Sequence, residues 1–62
     1  MLFQIESMHC GGCVRGVTKA IRSVDPTAEV AADLDAHEVR VTSGAAREAL
    51  VAALTEAGFA PA

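Results

Sequence analysis

At Met8-His9-Cys10-Gly11-Gly12-Cys13 the chain changes its hydrophobic period, and its only two cysteines sit at the change. Before it, Phe3 and Ile5 alternate with Gln4 and Glu6, the period of two that predicts a half-buried strand over Leu2 to Glu6. From Cys13 onward Val14, Val17, Ile21 and Val24 recur at i, i+3, i+7 and i+10, the apolar stripe of an amphipathic helix. A strand that gives way this quickly to a helix leaves only a short loop, Met8 to Gly12. The two glycines in it permit backbone angles and close approaches that a side chain would block.

The rest of the chain supplies the partners these two elements need. Asp25-Pro26 ends the helix, since a proline disfavours helical angles in the residue before it. Ala28, Val30, Ala32 and Leu34 alternate with Glu29, Ala31, Asp33 and Asp35, which predicts a second strand with the first set facing inward. Asp35-Ala36-His37 reads as a turn with His37 facing solvent, and Glu38 to Thr42 as a third strand with Val39 and Val41 inward, closing an antiparallel hairpin. Ser43 is positioned to cap a second helix whose stripe is Ala46, Leu50, Ala53, Leu54 and Ala57, with Gly58 at its C-terminal stop. Phe59 to Ala62, broken by Pro61, reads as a stub of edge strand. The order β-α-β-β-α-β predicts an α+β, ferredoxin-like sandwich over residues 1–62 as one domain. Two helices would cover one face of an antiparallel four-stranded sheet whose fourth strand is short.

Size and charge limit what such a fold can do. A chain of 62 residues buries only about 60% of its unfolded surface, so a deep catalytic cleft is not expected and the chain is not read as an enzyme. The formal charge of −3, with no Trp or Tyr, lacks the basic face and stacking aromatics of a nucleic-acid binder. No apolar run approaches the ~20 residues that span a bilayer. The first residues carry no basic and apolar leader pattern. The expectation is a cytoplasmic protein without membrane insertion, in which two cysteines stay reduced and available for metal or redox chemistry.

The cysteine loop then carries the function. Soft thiolates select Cu(I) and similar ions over hard cations, and two sulfurs suit an ion content with few ligands. Cys13 stands at the first turn of the predicted helix, where unpaired N–H groups and the positive end of the helix dipole favour an anion. Arg15 and Lys19 add positive charge nearby, and with Arg22 they form a basic stripe at i, i+4 and i+7 suited to docking an acidic partner. Met8 is either a thioether ligand or a core anchor of the loop. His9, beside Cys10, is either a third ligand or tuning group, or simply solvated. Structural Zn(II) takes four ligands, more than two thiolates and His9 provide. An incidental or structural cysteine pair is the blander reading of the motif, and thiol–disulfide exchange is the competing chemistry, since cysteines at this spacing can close a disulfide.

Met8-x-Cys10-x-x-Cys13 between a strand and a helix, with Ala57-Gly58-Phe59 near the end of a β-α-β-β-α-β chain, resembles the heavy-metal-associated domain over nearly the whole sequence. That family includes cytosolic copper chaperones and the N-terminal modules of metal-transporting P-type ATPases. The resemblance implies that Cys10 and Cys13 bind the metal, that Met8 points inward and pins the loop, and that Phe59 packs near the loop and shields the thiolates. It implies a carrier that hands Cu(I) to a metal-transporting P-type ATPase or another acceptor or donor protein by ligand exchange. A regulatory module of such an ATPase and a small dithiol oxidoreductase are the alternatives. Cu(I) is the expected ion, ahead of Ag(I), Zn(II), Cd(II) and Hg(II). The apo protein is expected to be a monomer, with a metal-bridged dimer as the alternative once loaded.

Overall fold

In the computed structural model, residues 1–9 and 11–62 are described. The alternating segments become strands β1 (Leu2–Gln4), β2 (Glu29–Asp33) and β3 (Glu38–Thr42), and the two stripes become helices α1 (Gly11–Val24) and α2 (Arg47–Glu56). The sheet is antiparallel in the order β1-β3-β2, with Phe3 opposite Val39 and Val30 opposite Val41. Phe3, Ile5, Val39 and Val41 turn to one face and are buried with Val17, Ala20 and Ile21 of α1 and Leu50 and Leu54 of α2. Leu2, Arg40 and Thr42 on the other face are exposed, the one-sided burial that an antiparallel sheet tolerates.

The expected boundaries shift where hydrogen bonds redirect the chain. β1 stops at Gln4 rather than Glu6 because a turn intervenes, in which the Met8 N–H donates to the Ile5 carbonyl at 3.3 Å. α1 starts at Gly11, two residues before the expected Cys13, so Gly11 and Gly12 belong to the helix rather than to the loop. Its last stripe residue, Val24, is exposed. In and before β2, Ala28 is buried and Val30 half-buried, but Ala32 and the following Leu34 are exposed. β2 is an edge strand, and the helical layer does not cover its second half.

Two further expectations fail for local reasons. Ser43 does not cap α2. The N-cap is Ala46, which makes no side-chain cap, while the Ser43 hydroxyl donates to Asp25 Oδ2 at 2.6 Å and accepts from the Ala45 N–H at 3.0 Å. Of the α2 stripe, Leu50 and Leu54 are buried, Ala53 is half-buried, and Ala46 and Ala57 are exposed. The expected fourth strand is not formed, and the sheet of the described residues has three strands. The tail still approaches the free edge of β1, where the Ala62 N–H donates to the Gln4 carbonyl at 2.7 Å. Pro61, lacking an N–H, has no ladder bond to donate.

Gly58 ends α2 as anticipated. At φ 91° it occupies the left-handed region, the Gly58 N–H donates to Thr55 and the Phe59 N–H donates to Leu54 at 2.8 Å. These two bonds are those of a Schellman cap. The cap swings Phe59 back onto the core, against which it packs half-buried.

Asp25 ties the far end of the molecule together. Its carboxylate accepts from the Ser43 hydroxyl, and from both the backbone N–H (3.0 Å) and hydroxyl (2.7 Å) of Thr27. The Ser43 bond first, then those from Thr27, hold the Asp25 carboxyl below its ordinary range. A carboxyl whose pKa is lowered by folding stabilises the protein above its unfolded pKa, and that contribution is lost as the pH falls through the folded value. On acidification from about pH 5 to about pH 3, across the ordinary carboxylate range, the unfolding temperature is expected to drop more for the wild type than for Asp25→Asn. Equal drops in thermal melts would contradict this role.

Candidate metal centre

The loop between β1 and α1 begins inside the protein. Met8 has no exposed surface and belongs to the same core cluster as Phe3, Ile5, Val17 and Leu54. Its side chain is thus committed to packing, and full burial of a methionine contributes about 1.5–3 kcal/mol. One residue further on, His9 is exposed. The chain passes from core to surface within one peptide, immediately before the cysteine motif.

Cys13 is the third residue of α1 and half-buried, packed against the edge of the core. It lies in the first turn, at the positive end of the helix dipole, and that turn carries no acidic side chain. That setting favours a negative ligand atom. Cys10 lies outside the described residues. Among the described residues no three His, Cys, Asp or Glu side chains converge in a way that would hold a metal ion.

His37 is the residue that sequence reasoning misplaced. It is half-buried rather than solvent-facing, because its Nδ1 lies 3.0 Å from the Met8 carbonyl oxygen. A carbonyl can only accept, so Nδ1 carries the proton. The backbone of His37 has φ 54°, a region that asparagine, aspartate and histidine enter more readily than other side chains. The edge of one ring faces the other in the His9–His37 pair, with centroids 6.2 Å apart and planes at 82°. The sequence offers only that left-handed tolerance as a signal; nothing in the spacing of positions 8 and 37 predicts the contact.

Phe59 is half-buried against the core and lies over Gly16, one turn of α1 beyond Cys13. A Cβ on Gly16 would stand 2.9 Å from Phe59 Cε2 and 3.2 Å from Cζ. Alanine there would gain about 1 kcal/mol of helix propensity but would force the ring aside, and overpacking costs about 1–3 kcal/mol, so glycine is the fitting residue. Of the basic stripe, Arg15 and Lys19 are exposed. Arg22 is exposed as well, and its Nε–H also donates to the Ala28 carbonyl at 3.4 Å, which helps hold the connection to β2.

The model of the heavy-metal-associated domain matches residues 2–60. No curated protein matches the chain. Among solved structures, one described as a gold binding protein is 41% identical, with a TM-score of 0.93 over 98% of this chain and 94% of that one. The copper chaperone Atx1 from Synechocystis PCC6803, in a trimeric form, is 31% identical, with a TM-score of 0.97 over 100% of this chain and 98% of that one. A third structure, described under crosstalk between Cu(I) and Zn(II) homeostasis, is 34% identical, with a TM-score of 0.90 over 94% of this chain and 92% of that one.

The two roles open to Met8 separate by substitution. Met8→Leu conserves volume and should cost less than about 1.5 kcal/mol, whereas Met8→Ala should cost about 2–5 kcal/mol. A chain of 62 residues has only about 3–9 kcal/mol in total at 0.05–0.15 kcal/mol per residue. Chemical denaturation is expected to show Met8→Ala barely folded and Met8→Leu near wild type. If Met8→Leu instead folds normally but binds metal much more weakly, the thioether is a ligand and the anchoring account fails.

Proposed function

The chain belongs to the heavy-metal-associated domain family, and from that premise we propose that it is a carrier that binds Cu(I) through the thiolates of Cys10 and Cys13 and passes it to an acceptor protein. The observation that carries this reading is the placing of Cys13 in the first turn of α1, directly after a loop whose root, Met8, is fully buried. The root is buried, while His9, Gly11 and Gly12 beside the donors are exposed. Two thiolates favour a soft ion that accepts few ligands, which supports Cu(I) over Zn(II), whose structural sites take four. The gold- and copper-related descriptions of the similar structures point the same way.

Transfer follows from this exposure. A thiolate of the acceptor adds to the bound ion, one cysteine of the donor leaves, and a second exchange completes the handover with no change in the metal's oxidation state. The acceptor we envisage is the metal-binding module of a metal-transporting P-type ATPase in the cytoplasm. The exposed charges of Arg15 and Lys19 beside the loop would meet an acidic face there and accelerate encounter more than they tighten the complex. His9, whose ring packs against His37, acts as a neighbour of the site rather than as a ligand.

Competition of the reduced protein against Cu(I) and Zn(II) chelators tests the assignment. The wild type is expected to take one Cu(I) and to prefer it strongly to Zn(II). Cys10→Ser and Cys13→Ser should each weaken Cu(I) binding by more than the 10–100-fold typical of losing a residue outside the ligand set. Retention of wild-type affinity in either variant would refute it. Reversing both charges, Arg15→Glu with Lys19→Glu, should slow transfer to an acidic acceptor at low salt and matter little once the Debye length is near 3 Å at about 1 M salt. Transfer rates that ignore both the charges and the salt would remove the docking proposal.

A further inference from the structure

The cysteine loop is held from two sides, and only one of them is the core. Three hydrogen bonds form a closed ring at its root. The Ile5 N–H donates to the His37 carbonyl at 2.7 Å, the Met8 N–H donates to the Ile5 carbonyl at 3.3 Å, and His37 Nδ1–H donates to the Met8 carbonyl at 3.0 Å. Beyond the ring, the imidazoles of His9 and His37 meet in a T-shaped arrangement. One side chain of the β2–β3 turn therefore touches both residues of the Met8–His9 peptide unit, which leads covalently into Cys10. Glycine, asparagine or aspartate would satisfy the left-handed backbone of position 37 equally well. Only a side chain that donates a hydrogen bond also satisfies the Met8 carbonyl. The backbone alone thus leaves the histidine unexplained, and its contacts to the loop explain it.

We propose that His37 is a positioning residue for the metal loop, fixing the Met8–His9 peptide by donating to the Met8 carbonyl and packing on His9, so that the β2–β3 turn helps set the geometry of the thiolate pair. The proposal rests on the reading of Cys10 and Cys13 as ligands for its functional consequence, but not for the contact itself. It assigns no ligand role to His37. A shift of the peptide one residue before a ligand changes where that ligand's sulfur stands, in the way that residues outside the ligand set tune other metal sites.

Two variants of nearly equal shape isolate the hydrogen bond. In His37→Asn the side-chain amide nitrogen stands where Nδ1 stands now and donates; in His37→Asp an oxygen stands there and cannot. Both tolerate the positive φ. In the reduced, metal-free protein the amide 15N shift of His9, whose nitrogen is bonded to the Met8 carbonyl, should stay near wild type in His37→Asn and move in His37→Asp. Cu(I) affinity against a chelator should remain within a few-fold in His37→Asn and fall about 10-fold or more in His37→Asp, with thermal melts confirming that both are folded. Because Cu(I) with two thiolates is a net anion that a nearby carboxylate also disfavours, His37→Gly, which tolerates the positive φ and removes the donor without adding charge, should lose affinity as His37→Asp does; wild-type affinity in His37→Gly would overturn the role. Unchanged His9 shifts in His37→Asp, or equal loss of affinity in the two variants, would overturn the positioning role. Shifts that follow donor and acceptor in a wild-type protein that fails to bind Cu(I) would leave the positioning intact and overturn the metal assignment instead.

Discussion

Burial of the Met8 side chain is the constraint on which the rest of the site depends. A loop that leads from β1 into the helix carrying Cys13 has to start from a fixed point, and a side chain with no exposed area among Phe3, Ile5, Val17 and Leu54 is such a point. Everything nearby follows from that commitment. The turn after Ile5 lets Met8 fold under the sheet, α1 begins at Gly11 within three residues, and Cys13 is carried into the first helical turn. In a domain with so little total stability, the core and the site are the same construction. Loosening one loosens the other.

The second consequence is a division of labour across the molecule. The turn between β2 and β3, the loop root and Phe59 all bear on the neighbourhood of the cysteines through His37, Met8 and Gly16. Asp25, Thr27 and Ser43 knit the connections α1–β2 and β3–α2, which by alternation of direction lie at the other end. The end that carries Cys13 is thus held by packing and a few backbone-directed bonds, while the distant end is held by a charged hydrogen-bond cluster.

Much of this was legible in the sequence, and the parts that were not share a cause. The two periods gave the strands and helices, because burial on one face leaves its own spacing in the chain, and Gly58 marked the end of α2 because a left-handed residue favours glycine. The inward set of β2 was misread because alternation tells which residues share a face, not whether anything covers that face; at a sheet edge nothing covers Ala32. Ser43 has the right chemistry for a helix cap, yet a carboxylate eighteen residues away claims its hydroxyl. His37 is the extreme case, since its partner lies 29 residues distant and no local pattern encodes the pairing. Local rules fail where a long-range hydrogen bond outbids the local one. Of the two, Ser43 lies at the far end and His37 at the root of the cysteine loop.

The central claim is that the bound ion is held by two sulfurs and nothing else. X-ray absorption at the copper edge of the loaded, reduced protein addresses it directly. The account predicts a first shell of two sulfur scatterers with no nitrogen or oxygen contribution, unaltered by His9→Ala. A first shell containing imidazole nitrogen, or one that keeps its form in Cys13→Ser, would contradict it.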